Sequence, residues 1–213
     1  MNKILSIIIQ FSVLIFSVCV HESAHGWMAD KCGDPTARYR GRITLNPIHH
    51  IDLFGSIIVP LVLAMIGGPV FGWAKPVPVN PYNFNHYRRD NMLVSAAGPG
   101  SNLILATLSI VLFRILNLNQ MVFQNPEGTA ALLFLIFFYM TVINVFLAIF
   151  NLIPIPPLDG SGILEGVLKG EAMYHYQRIK PYGFIILIVI LYTGALNVIA
   201  SPIITLVLSL LRG

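Results

Sequence analysis

Charge is what this sequence has least of. Lys, Arg, Asp and Glu make up 10% of its 213 residues, against 56% hydrophobic, whereas a soluble domain carries about 25% charged residues. A soluble globular domain is therefore excluded in favour of an integral membrane protein, whose polar groups must be housed in cavities lined by protein or water. The formal net charge of +4 is small and its basic residues fall in loops. They are read as topology signals, and a nucleic-acid surface is not expected. Only two cysteines are present, Cys19 and Cys32, too few for a disulfide framework. No repeat of 20–50 residues is visible, which removes solenoids and propellers. The first apolar run lacks an A-x-A-like cleavage site after its core, so it is read as a retained span rather than a signal peptide.

What remains is a set of long apolar runs. Those at 4–28, 92–116 and 129–153 can each cross about 30 Å of hydrocarbon at about 1.5 Å per residue. The run from 182 to 211 is long for one span and short for two. Pro202 is expected to divide it into a span over 182–200 and a C-terminal interfacial piece. The segment 53–71 is interrupted by Pro60 and by Gly67-Gly68-Pro69. On either side of it lie basic loops, 30–48 with Lys31, Arg38, Arg40 and Arg42, and 72–91 with Lys75, Arg88 and Arg89. Both read as cytoplasmic, so 53–71 is expected to enter the membrane and return, with a simple span as the alternative. Alternating prolines in Gly72-Trp73-Ala74-Lys75-Pro76-Val77-Pro78-Val79-Asn80-Pro81 favour extended backbone. It would be either an edge able to pair with a substrate strand or a stiffened surface loop. The expected fold is an all-α polytopic membrane protein of one domain, 1–213. It is a transmembrane helix bundle with a re-entrant or extended segment near the cytoplasmic face.

The chemistry is concentrated in Val20-His21-Glu22-Ser23-Ala24-His25-Gly26, near the cytoplasmic end of the first run. Helical positions four apart share a face, so His21 and His25 can hold one zinc ion, with Glu22 beside them as general base. Six histidines in 213 residues produce this pattern by chance in only about 0.3% of such chains. Ionisable groups inside a span are costly and read as functional. Catalytic zinc needs a third protein ligand. Asp159, in the proline-rich break Asn151-Leu152-Ile153-Pro154-Ile155-Pro156-Pro157-Leu158-Asp159-Gly160, falls on the same side of the membrane and is the candidate. Cys19 is disfavoured, because positions two apart on a helix do not face each other. His49, His50, His86 and His175 read as interfacial or loop residues. Asn102, in Ala97-Gly98-Pro99-Gly100-Ser101-Asn102, is either helix-packing glue or part of a site. Asn144 and Asn151, seven apart, lie nearly on one face of a span.

Together, His21-Glu22-Ser23-Ala24-His25, the segment 97–102 and the segment 151–160 resemble the site-2 protease family of intramembrane zinc metalloproteases. The order of the three motifs matches, and the likeness runs from the first span to Gly160. The segment 72–79 is similar to that of a compact bacterial or archaeal subgroup. The resemblance implies that His21, His25 and Asp159 hold one Zn2+ and that Glu22 is catalytic. It further implies that Asn151 helps hold substrate or the developing oxyanion, and that Asn102 positions substrate. Many relatives carry PDZ or CBS domains, for which 213 residues leave no room. Segment 53–71 also lengthens the stretch between the first two motifs. The expected function is zinc-dependent hydrolysis of a peptide bond in or near a transmembrane segment of another protein, in the cell membrane, with the site toward the cytoplasm. Transmembrane proteins or peptides and the lipid bilayer are the expected partners. The alternatives are a membrane zinc transporter, which needs ligands on several helices and a path to both sides, and a non-catalytic protein that binds membrane segments.

Overall fold

The structure, a computed structural model, describes residues 3–65, 72–125 and 128–212. Among these residues all regular structure is helical. In chain order the α-helices are α1 (Lys3–Lys31), α2 (Thr36–Tyr39), α3 (Val59–Met65), α4 (Tyr87–Ile115), α5 (Leu118–Gln124), α6 (Thr129–Asn151), α7 (Asp159–Val167), α8 (Gly170–Ile179), α9 (Gly183–Thr193) and α10 (Ala195–Arg212). Helices α1, α4 and α6 are long and apolar enough to cross a membrane, and they pack on one another to form the centre of the molecule.

These three helices form because their runs are apolar and unbroken, and they turn one face inward. Ile9 and Val13 of α1 are buried against Leu135 of α6, with Tyr139, Met140 and Ile143 around them. At the other end of α1, Ala29 and Cys32 pack on Val94 of α4. The remaining faces carry exposed Ile4, Ile8, Phe11, Ile104, Leu108 and Ile115, as expected of surfaces solvated by lipid rather than water. Helix α1 stops where its sequence provides a stop. Gly33 takes φ +104°, the amide of Asp34 donates to Ala29 O at 2.8 Å and that of Gly33 to Asp30 O at 3.3 Å. This pair of bonds satisfies the orphan carbonyls of the last turn.

Beyond that stop, Asp34 ties two loops together. It is fully buried and accepts from the amide of Asn80 at 2.6 Å, from Asn83 Nδ2 at 2.8 Å and from the Thr36 hydroxyl. Burial works to raise its pKa, but these donors, together with the Thr36 amide, outweigh burial and hold it below the ordinary aspartate value. The amide of Asn85 also donates to Cys32 O at 3.0 Å. The end of α1 and the approach to α4 therefore lie side by side, and the two basic loops share one end of the bundle.

The two ends of the segment between those loops lie side by side. The Lys75 amide donates to His50 O at 2.8 Å and the Trp73 amide to Gly55 O at 3.0 Å. Leu53–Ile58 is a π-helical stretch that runs into α3. Pro60 lies within this helical run and does not break it. The other expected break, at Gly67-Gly68-Pro69, lies outside the described residues. Residues 72–80 have no helix or strand, consistent with prolines that remove amides from any ladder. In the C-terminal run the break falls at Gly194, not at Pro202. Gly194 takes φ +71° between α9 and α10, whereas Pro202 lies inside α10. A left-handed residue ends a helix, and glycine adopts it without strain. A proline within an apolar helix only deletes one amide and can be accommodated.

Candidate metal centre

His21 and His25 lie one turn apart on α1 and turn to the same side. Their Nε2 atoms are 3.1 Å apart. Asp159, the first residue of α7, reaches them from 134 residues away in the chain. Its Oδ2 is 3.1 Å from His21 Nε2 and 3.3 Å from His25 Nε2. The three form a group of the kind that can hold a metal ion. Donors in a tetrahedral site with bonds of about 2.0–2.1 Å are about 3.3–3.4 Å apart, within ~0.3 Å of the separations here.

Hydrogen bonding explains why these three atoms want a cation. His25 Nδ1 lies 2.7 Å from Val94 O. A backbone carbonyl can only accept, so Nδ1 carries the proton and Nε2 offers a lone pair. His21 Nδ1 lies 2.6 Å from Asn102 Oδ1, with the same consequence. Asp159 Oδ2 is buried and receives no donor. Three acceptors thus converge. A single proton can bridge one pair of them, but a cation at the centre satisfies all three, so the donor set fits zinc.

The surrounding sequence makes the convergence possible. A Cβ on Gly98 of α4 would lie 2.3 Å from His25 Nε2 and 2.6 Å from His21 Cε1. Only glycine lets both rings lie against the α4 backbone. A Cβ on Gly160 would lie 2.3 Å from Leu152 O, so Gly160 allows the start of α7 to sit on the end of α6. That contact aims Asp159 back toward α1. The short run Ala97-Gly98-Pro99 thus matters for the space it leaves, beyond general helix packing.

The other expected site residues divide. Glu22 Oε2 accepts from the Val77 amide at 2.8 Å, which brings the extended segment against the histidine helix. Arg42 Nη2 holds the same segment through Lys75 O at 3.0 Å and Pro76 O at 3.2 Å. Asn102 has no exposed surface. It sits behind His21, away from any open face, and donates from Nδ2 to Asn144 Oδ1 at 2.8 Å. Asn151, the last residue of α6, donates to Leu147 O at 3.0 Å and makes no hydrogen bond to His21, Glu22, His25 or Asp159 among the described residues. Cys19 is buried and free, and is absent from the metal-holding group. His50 lies apart from the centre, its Nε2 2.8 Å from Thr44 O.

Sequence reading missed the Val94 carbonyl, the Val77 amide and the necessity of Gly98. Backbone groups carry no signature in the sequence. Asn144 did carry one, as a fully buried amide in an apolar span.

The profile of peptidase family M50 matches residues 120–194, which include Asp159 but not the histidine helix. YwhC of Bacillus subtilis, named as a candidate zinc metalloprotease, is 40% identical over 180 residues, covering 84% of this chain and 78% of that protein. Rip2 of Mycolicibacterium smegmatis, named likewise, is 34% identical over 188 residues, covering 86% of this chain and 66% of that protein. Rip2 of Mycobacterium tuberculosis strain H37Rv is 31% identical over 185 residues, with the same two coverages. No solved structure matches.

Proposed function

Because the chain belongs to peptidase family M50, the site-2 protease family of zinc metalloproteases, we propose that it hydrolyses a peptide bond within or near a transmembrane segment of another membrane protein. The observation that carries this reading is the meeting of His21, His25 and Asp159 beside three membrane-spanning helices. In it, His21 Nε2, His25 Nε2 and Asp159 Oδ2 hold the zinc. Bound zinc supplies Lewis acidity, which activates water near neutral pH and polarises a carbonyl.

The chain's own residues supply the rest. Glu22 takes the proton of the attacking water and later hands it to the leaving amine. One of its oxygens is anchored by the Val77 amide, and the other, without a hydrogen bond among the described residues, serves that exchange. The Nδ1 protons of His21 and His25 stay on their acceptors, Asn102 Oδ1 and Val94 O, which keeps both rings turned toward the metal. Asn151, at the α6 end, uses one amide hydrogen on Leu147 O. Its other amide hydrogen would help hold substrate or the developing oxyanion.

A peptide bond inside a helix is shielded, so the substrate must be extended before it is cut. The extended segment around Val77 is suited to receive it. Pro76 and Pro78 have no amides, the Val77 amide is spent on Glu22, and the carbonyl of Val77 and both backbone groups of Val79, which make no hydrogen bond among the described residues, are left for a strand to pair with. The metal donors sit at the end of the bundle that carries Lys31, Arg38, Arg40, Arg42, Lys75, Arg88 and Arg89. Positive residues favour the cytoplasmic side, and the site is assigned there.

The test is to incubate the purified, reconstituted protein with single-span substrates and map the cut by mass spectrometry. Cleavage within the span or its cytoplasmic border, abolished by a zinc chelator and restored by added zinc, is expected. Cleavage confined to soluble loops far from the membrane would refute the reading.

A further inference from the structure

Asn144 is a buried amide in the middle of an apolar span, and the chemistry above does not use it. It has no exposed surface, and neither do Ser17 and Asn102. Its environment is completely paired. Nδ2 donates to Met140 O at 2.8 Å and to Ser17 Oγ at 2.8 Å, while Oδ1 accepts from Asn102 Nδ2 at 2.8 Å. An unsatisfied amide in such a place would be costly, so the arrangement has one orientation.

That orientation can be followed atom by atom. Met140 O is a backbone carbonyl and can only accept. It therefore fixes which end of the Asn144 amide is NH2 and turns Oδ1 toward α4. Asn144 Oδ1 can only accept, so Asn102 must present its NH2 to it and its own Oδ1 to His21. Asn102 Oδ1 can only accept, so His21 Nδ1 carries the proton and His21 Nε2 offers the lone pair. The protonation pattern of a residue on α1 is thus dictated by a carbonyl on α6, through two amides. His25 needs no such relay, because a carbonyl of α4 touches it directly.

We infer that Asn144 is a positioning residue of the metal centre, which through Asn102 keeps His21 in the tautomer and ring orientation that bind zinc. The inference rests on the reading of His21 as a ligand. It assigns the α1–α4–α6 polar contact a task that general interhelical packing would not require. Packing alone needs hydrogen bonds between the helices, but is indifferent to the direction in which they run.

The test is a double-substitution cycle read by zinc affinity. Native protein, Asn144→Leu, Asn102→Leu, the double substitution and His21→Ala are purified in detergent and titrated with zinc against a chromogenic chelator. The melting temperature of each zinc-free protein is recorded alongside. Asn144→Leu and Asn102→Leu should each raise the zinc dissociation constant about 10–100-fold. The double substitution should be no worse than Asn102→Leu, because Asn144 acts only through Asn102. Losses that multiply in the double substitution, or a zinc affinity of Asn144→Leu within about twofold of native, would overturn the inference. If Asn144→Leu does not accumulate as folded protein, Asn144→Ser replaces it. Its hydroxyl can return to Met140 O, as Thr141 Oγ1 does to Phe137 O, while the acceptor for Asn102 is withdrawn. His21→Ala separates the two levels. If it binds zinc like the native chain, the ligand reading fails. If it loses zinc and Asn144→Leu does not, the relay alone fails.

Discussion

Replacing Glu22 with glutamine is expected to abolish proteolysis and leave zinc in place. The substitution is close to isosteric, and the glutamine carbonyl can still accept from the Val77 amide that now meets Glu22 Oε2 at 2.8 Å. The extended segment therefore keeps its anchor. His21, His25 and Asp159 are untouched, so the metal donors remain. What disappears is the basic oxygen, and with it the route by which a proton leaves water and reaches the amine. General acid–base catalysis contributes about 10²–10⁴-fold, so the rate on a single-span substrate should fall by at least about 100-fold at unchanged zinc stoichiometry. Retained cleavage would remove Glu22 from the mechanism. Loss of zinc together with activity would mean that its role lies in assembling the site.

Gly98→Ala should be as damaging, for a reason that opposes ordinary helix energetics. Alanine is favoured over glycine within a helix by about 1 kcal/mol, so on propensity alone α4 should gain. The added Cβ, however, would lie 2.3 Å from His25 Nε2 and 2.7 Å from His21 Nε2. Both rings must then move, and they are held from behind by Asn102 and Val94 O. The expected protein is folded and helical, with zinc affinity lower by on the order of 100-fold or more and no detectable cleavage. Isothermal zinc titration with circular dichroism on the same sample reads both quantities. Native zinc affinity in Gly98→Ala would show that the rings do not pack against α4 as described.

These two substitutions also mark what was legible in the sequence. His21 and His25 could be read because helical periodicity puts them on one side of a span, and Glu22 because it adjoins them where ionisable residues are rare. Asp159 could be read because the basic loops fix which ends of the apolar runs lie together. Gly98 could be read only as a small residue, since the atoms that exclude a Cβ belong to another helix. Asn102 was legible as polar and buried, but its partner was not. A span of this kind offers many possible acceptors and donors, and only tertiary packing selects His21 and Asn144. At the C-terminus the helix runs through Pro202 and breaks at Gly194 instead. A proline signals a break by deleting an amide, whereas a glycine breaks a helix only if its φ turns positive, which the sequence does not record. The extended segment 72–80 was legible from its prolines, but its hold on Glu22 runs through a backbone amide and left no trace.

The account depends on Asp159 meeting His21 and His25 around one metal, and zinc titration of Asp159→Asn tests that most directly. The carboxamide keeps the size of the side chain and the start of α7, but it removes the negative charge and leaves a weaker donor facing two imidazole lone pairs. The native chain should bind one zinc ion, and Asp159→Asn should bind it at least about 100-fold more weakly, with the fold of the zinc-free protein unchanged. Equal stoichiometry and equal affinity in the two proteins would contradict the account, since the metal would then be held by donors other than the three that the structure brings together.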